Sequence, residues 1–158
     1  MEFLANPQIR IILQLLLATF LGGLVGLERE YKRKAAGLQT YSLVALGTCL
    51  FTVITFELFN FFVNKEGISF DPSRIIQAVA IGIGFIGAGV IFRQPSSGIV
   101  GLTTAAGLWV TSAIGIAIGA KLYLLAIFAT FLALLVLSVF GLLEEKVFGK
   151  PRLLGMEC

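Results

Sequence analysis

The polar residues that could do chemistry in this chain are few, and nearly all sit at the ends of apolar runs. Glu28 and Arg29 close the first run, Asp71 and Arg74 open the third, and Arg93 ends it. Thr103 and Thr104 start the fourth run and Trp109 lies inside it. An ionisable group within a membrane span is a functional candidate by default, because a charge in hydrocarbon is costly. Short carboxylates suit Mg²⁺ that keeps part of its water shell. Asp71 and Glu28 are therefore the candidate metal contacts, with Mg²⁺ as ligand or substrate and no resident cofactor expected. Each candidate also has a plainer reading. Asp71 followed by Pro72 reads as a helix N-cap, and Glu28 stands four residues before Lys32, the favourable order for a helical ion pair. Arg93 reads as a topology determinant or a lipid-phosphate contact. The two threonine hydroxyls either satisfy backbone groups at a helix start or coordinate an ion or a neighbouring helix. Trp109 is expected to pack in the core. Glu57 lies about 30 Å from the start of its run at 1.5 Å per residue, near the far interface. No charge is therefore expected at the bilayer midplane. That argues against an acidic relay and leaves open a path lined by carbonyls and hydroxyls.

What is missing narrows the chemistry further. The chain has no histidine, which removes a Ser-His-Asp triad, a His-based metal site and the usual neutral-pH proton shuttle. No nucleophile motif or paired acid and base is present, so an enzyme is not expected. Cys49 falls inside an apolar run and Cys158 ends the sequence given, so no disulfide framework is indicated.

These residues are carried by an apolar chain. Of 158 residues, 58% are hydrophobic and 13% charged, with a mean hydropathy of +0.97. Soluble domains average about 45–50% apolar and about 25% charged. The composition excludes an ordinary cytosolic domain, a disordered chain and a nucleic-acid binder. The fold class expected is an all-α integral membrane protein with five transmembrane helices. The runs are Ile9–Leu27, Leu38–Val63, Ile75–Phe92, Ile99–Ala120 and Leu122–Leu143, each close to the ~20 residues a span requires. They form a single membrane domain over residues 1–158 with a short tail, Glu144–Cys158, and no soluble domain is expected. The first run is read as a retained anchor, since it lacks a small-x-small cleavage site.

Charge placement suggests orientation. One side receives Arg29, Lys32, Arg33, Lys34, Arg93, Lys146, Lys150 and Arg152; the other holds Arg10, Lys65, Arg74 and Lys121. The excess of basic residues puts the C-terminus in the cytoplasm and the N-terminus outside. Asn6-Pro7 and Asp71-Pro72 read as matching helix starts, Gly37 as the stop of a first helix extended past its span, Pro95–Gly98 as a turn, and Gly119–Lys121 as a tight hairpin. Small residues let membrane helices approach closely. Gly22 and Gly26 in the first run, Gly82, Gly84, Gly87 and Gly89 in the third, and Gly115 and Gly119 in the fourth therefore predict a packed centre of helices 1, 3 and 4, with helix 5 facing lipid.

Several blocks taken together resemble the MgtC/SapB family of bacterial inner-membrane proteins, in its short form without a C-terminal soluble domain. They are Gly26-Leu27-Glu28-Arg29-Glu30, Ala36-Gly37-Leu38-Gln39-Thr40, Asp71-Pro72-Ser73-Arg74, Gly82 through Ile91 (GIGFIGAGVI), and Gly101-Leu102-Thr103-Thr104-Ala105-Ala106 with Trp109. The resemblance covers roughly residues 9–140. Where the family usually reads Arg-Thr-His, this chain has Gln39-Thr40-Tyr41. The resemblance implies a multi-pass protein of the bacterial inner membrane acting in magnesium homeostasis. By matching positions it points to Glu28, Arg29, Asp71, Arg74, Arg93, Thr103, Thr104 and Trp109. Two roles compete: a regulator or accessory that binds another membrane protein, and a Mg²⁺ or other cation transporter acting as a homo-oligomer, since five helices with few polar groups make a poor pore alone. The partners expected are the lipid bilayer, a membrane protein or a second copy, and no nucleic acid.

Overall fold

Five helices carry the apolar runs. The computed structural model describes residues 6–63, 71–94, 98–141 and 143. They form α1 (Pro7–Tyr31), α2 (Leu38–Phe62), α3 (Ser73–Val90), β1 (Phe92–Gln94), β2 (Gly98–Val100), α4 (Leu102–Gly119) and α5 (Tyr123–Leu135), which runs on into a π-helical turn, Val136–Phe140. With that turn included, all five helices are long and apolar enough to cross a membrane. The expected tail Glu144–Cys158, with Lys146, Lys150, Arg152 and Cys158, and also Lys65, lie outside the described residues.

The helix starts follow the local chemistry. Asn6 Oδ1 accepts from the Gln8 backbone N–H at 3.0 Å, with Pro7 in the first helical position. Asp71 Oδ1 accepts from the Ser73 N–H at 2.9 Å, but α3 starts one residue later than the Asp71-Pro72 pair suggests, with Pro72 in the cap position and Ser73 first in the helix. Other boundaries differ from the sequence expectation. Helix α1 stops at Tyr31, not at Gly37; Arg33 takes a left-handed φ of 50°, and Gly37 instead caps the start of α2. The Glu30 carboxylate accepts from the Leu38 N–H at 3.1 Å, so a charge in the last turn of α1 satisfies an orphan donor of α2. Helix α3 ends at Val90, where Ile91 turns extended, and α4 begins at Leu102. The ends of the third and fourth runs pair instead as an antiparallel hairpin, with Arg93 opposite Ile99. Of the expected turn, Pro95, Ser96 and Ser97 lie outside the described residues. The hairpin returns the chain so closely that a Cβ on Gly101 would overlap the Val90 carbonyl, and Gly101 also holds a φ of 92°.

The packed centre is α1, α2 and α4, and this corrects the placement of α3. Helix α2 lies between two seams of small residues. From α1, a Cβ at Gly22 would stand 2.6 Å from the Ala45 Cβ, and one at Gly26 would stand 2.8 Å from the Leu38 Cα. From α4, Gly107, Thr111, Gly115 and Gly119 recur every fourth residue, hence on one face. A Cβ at Gly107 would meet the Tyr41 hydroxyl at 2.5 Å, one at Gly115 would overlap Thr48, and one at Gly119 would come within 2.6 Å of the Thr52 Cβ. Helix α3 leans on α4 by one edge, where Gly87 faces Ala105. Among the described residues, nothing lies within 4 Å of a Cβ built at Gly82, Gly84 or Gly89, so these glycines pack against no other helix. The physical reason is that glycine content does not say which face is used. Helix α2 offers close contact through Ala45, Thr48, Cys49 and Thr52 while carrying only Gly47. Two buried clusters result. One joins α1, α2, α4 and α5 around Ala45, Cys49, Ile114 and Ala126; the other gathers around Val25, Tyr41, Ile83, Leu108 and Leu137. Cys49 is a free, buried thiol. Helix α5 buries only one edge and exposes Leu124, Phe128 and Phe131.

Candidate functional site

A polar cluster lies where the end of α1 meets the starts of α2 and α4. Helix α1 delivers Glu28, Arg29 and Lys32 to this end, because Gly22 and Gly26 allow it to lie directly on α2. Lys32 Nζ stands 2.6 Å from Glu28 Oε1, an ion pair one helical turn long. Its approach departs from the hydrogen-bond direction, and Glu28 Oε1 has no hydrogen-bond donor among the described residues. Arg29 Nη1 lies 3.4 Å from Glu28 Oε2. The Arg29 side chain is 3% exposed and that of Glu28 is 11% exposed, so the pair is largely shielded from solvent. Lys32 Nζ also donates to the Leu137 carbonyl at 2.8 Å. That carbonyl belongs to the π-helical turn. Lys32 thus ties α1 to α5. The Tyr41 hydroxyl, fully buried, donates to the Thr104 carbonyl at 3.1 Å and joins α2 to the first turn of α4.

At the opposite end, Gln14 is buried on α1. Its Nε2 donates to the Ile118 carbonyl at 2.8 Å and the Gly119 carbonyl at 3.3 Å, satisfying the last turn of α4. Between the two ends runs a row of hydroxyls. Thr48, Thr52 and Thr55 on α2 and Thr130 on α5 donate to carbonyls three or four residues before them, the usual resort of a hydroxyl in an apolar setting. Thr111 is fully buried, and its Oγ1 has no partner among the described residues.

The candidates from the sequence divide accordingly. Glu28 and Arg29 meet in the cluster. Thr104 contributes its backbone, and its side chain is buried. Thr103 is exposed. Trp109 is 56% exposed and faces outward, so it is not a core residue as expected; the small α4 seam is what turns inward, and the indole falls on the far side. Arg93 sits exposed on β1 rather than at a helix end. Asp71 and Arg74 are exposed at the start of α3, at the opposite end of the bundle from Glu28. The two candidate metal carboxylates therefore do not converge on one ion. The Ser73 hydroxyl and backbone N–H hold the Asp71 carboxyl below the usual carboxylate range. Gln14, Lys32 and Tyr41 were not singled out from the sequence as site residues. The signal was there for Gln14, a lone amide inside an apolar run; nothing local marks Tyr41 as the residue that bridges two helices.

The sequence profile of the MgtC family matches residues 15–146. The chain belongs to the MgtC family. It is 42% identical over 139 residues to YhiD of Escherichia coli K12, whose name provisionally describes it as a magnesium transporter. That match covers 88% of this chain and 64% of YhiD. Protein SapB of Bacillus subtilis is 40% identical over 143 residues, covering 90% of this chain and 61% of SapB. Protein MgtC of Brucella abortus is 40% identical over 130 residues, covering 82% of this chain and 50% of that protein. The chain thus spans less than two thirds of the length of these relatives. No solved structure matches it.

Proposed function

We propose that this MgtC-family chain is a regulator or accessory of other membrane proteins in magnesium homeostasis, without catalytic activity of its own. It lies in the bacterial inner membrane with its polar-cluster end toward the cytoplasm. Among the described residues, Arg29, Lys32, Arg33, Lys34 and Arg93 gather at that end, against Arg10, Arg74 and Lys121 at the other, and this basic excess supports the orientation. The observation that carries the regulator reading is the use made of the interior polar groups. Glu28 is held by Lys32 and Arg29, Lys32 by the α5 turn, Gln14 by the end of α4, and Tyr41 by Thr104. The Lys32, Gln14 and Tyr41 bonds tie helices together, and the Glu28 pairs hold the end of α1 in place. Meanwhile α3 presents Ile81 and Phe85, 76% and 84% exposed, beside Gly84 and Ala88, a knobbed face with room for a partner helix.

A second reading, a Mg²⁺ or other cation transporter working as a homo-oligomer, is favoured by the name of the YhiD relative. One experiment separates the two. The purified chain is sealed into proteoliposomes with a magnesium dye inside, and in parallel is cross-linked in native membranes through a photoreactive residue at Phe85. Regulator action predicts no flux above empty vesicles and a cross-link to another membrane protein. Mg²⁺ uptake by the purified chain alone overturns it.

A further inference from the structure

Helices α2 and α3 converge on α4 without closing on each other, and a groove of about 700 Å³ runs between them. Gly47 on α2 and Gly82 on α3 line it. No described atom lies within 4 Å of a Cβ at either, so the two glycines widen a gap instead of sealing a contact. From Gln39 to Phe51 the groove is about 18 Å long at 1.5 Å per residue. Its length is close to the depth of one leaflet, about half of a ~30 Å hydrocarbon core. The walls are apolar through Leu43, Phe51, Ile75 and Ile86, while Gln39 and Thr40 supply hydrogen-bonding groups at one end. That end is the basic one. The end of α3 abuts the start of α4 at Gly101, and Thr104 of α4 holds Tyr41 of α2, so the start of α2 and the end of α3 lie together. Arg33 precedes the groove's α2 wall and Arg93 follows its α3 wall, and both are exposed.

We infer that this groove binds a phospholipid with an anionic headgroup. Hydrocarbon fills the space between Gly47 and Gly82, the ester region meets Gln39 and Thr40, and the phosphate lies between Arg33 and Arg93. The apolar, leaflet-length walls suit an acyl chain, and the two cations at the basic end suit an anionic head. Gly84 lies on the other side of α3 from Gly82, while Phe85 lies about 60° round the helix from it, so this site adjoins the face used above for a protein partner without sharing a residue with it.

The test uses the full chain purified in mild detergent and then placed in nanodiscs of phosphatidylcholine with or without phosphatidylglycerol. Native mass spectrometry counts the lipid retained through stepwise delipidation. The wild type should retain phosphatidylglycerol in preference to phosphatidylcholine. Arg93→Gln and Arg33→Gln should each weaken that preference about fivefold, as expected for one basic residue near an anionic head. Gly47→Leu combined with Gly82→Leu fills the groove and should abolish retention. Circular dichroism and a thermal melt no lower than wild type would show that this variant is folded. If the folded, filled variant retains the same lipid, or the wild type shows no headgroup preference, the inference is overturned. It is equally overturned if filling the groove leaves lipid unchanged and instead removes a dimer detected by cross-linking, which would assign the groove to a second copy of the chain.

Discussion

One methyl group added at Gly22 and one added at Gly82 should move stability in opposite directions. At Gly22 a Cβ would stand 2.6 Å from the Ala45 Cβ and 2.7 Å from the Tyr41 carbonyl oxygen. Neither neighbour is the end of a flexible side chain. Ordinary contact begins near 3.4 Å, so α1 and α2 would have to part by close to 1 Å. Overpacking of this kind costs about 1–3 kcal/mol. Against it stands the helix-propensity gain of about 1 kcal/mol when a mid-helix glycine becomes alanine. Gly22→Ala should therefore destabilise by about 0–2 kcal/mol net. At Gly82 the space is open, so Gly82→Ala keeps the propensity gain and should stabilise by up to about 1 kcal/mol. A change of 1 kcal/mol corresponds to about 2–4 °C in Tm for a chain of this size, and the two variants should melt several degrees apart. The assay is thermal unfolding in one detergent, followed by intrinsic fluorescence and by helix content. A Gly22→Ala melt equal to or above that of Gly82→Ala would refute the close approach of α1 on α2, and with it the placing of α2 at the centre.

The remaining predictions concern the polar contacts. Lys32→Met removes both the Glu28 ion pair and the bond to the Leu137 carbonyl, and should cost about 2–3 kcal/mol in chemical denaturation. Combined with Glu28→Gln, the loss should be less than the sum of the two, because the residues share one contact; simple additivity would count against the pair. Gln14→Leu removes the side-chain donor to the last carbonyls of α4, leaving the Ile118 carbonyl with the Lys121 N–H alone among the described residues, and should cost about 1 kcal/mol, with faster hydrogen exchange confined to the end of α4. Asp71 has a lowered folded value, so its contribution to the start of α3 is complete above the ordinary carboxyl range and fades as pH falls through that lowered value. Hydrogen exchange at the first turn of α3 should rise with acid in the wild type and far less in Asp71→Asn, which caps nearly as well without titrating. An identical pH response in the two would remove the capping account.

The chain's membrane class was legible because it rests on sums. Apolar runs long enough to span and a shortage of charge within them leave a helical bundle as the economical way to satisfy every backbone group in lipid. The helix starts were legible too, because Asn6-Pro7 and Asp71-Pro72 act on neighbours two residues away. Errors came where a local signal was asked a global question. Gly37 stops nothing; it begins α2, since the chain must turn at Tyr31 for Glu30 to reach the Leu38 N–H. Gly82, Gly84 and Gly89 read as packing residues in the sequence, yet a glycine permits contact without requiring it, and among the described residues only Gly87 of the α3 glycines meets a neighbouring helix. A mid-run position suggests that Trp109 points inward, but four-residue spacing gives the inner face of α4 to Gly107, Thr111, Gly115 and Gly119.

By itself, then, the sequence determined a multi-pass helical membrane protein of the MgtC family, its five helices and most of their starting points. Composition, run length and capping are properties of neighbouring residues, and folding cannot undo them. Only the tertiary structure decided that α2 is the central helix, that Glu28, Arg29 and Lys32 meet Tyr41 and the π-helical turn of α5, and that α3 stands off far enough to leave a groove. Those outcomes depend on which faces of helices distant in sequence come together. That choice is made by the joint packing of small residues from several helices, which no single stretch of the chain encodes.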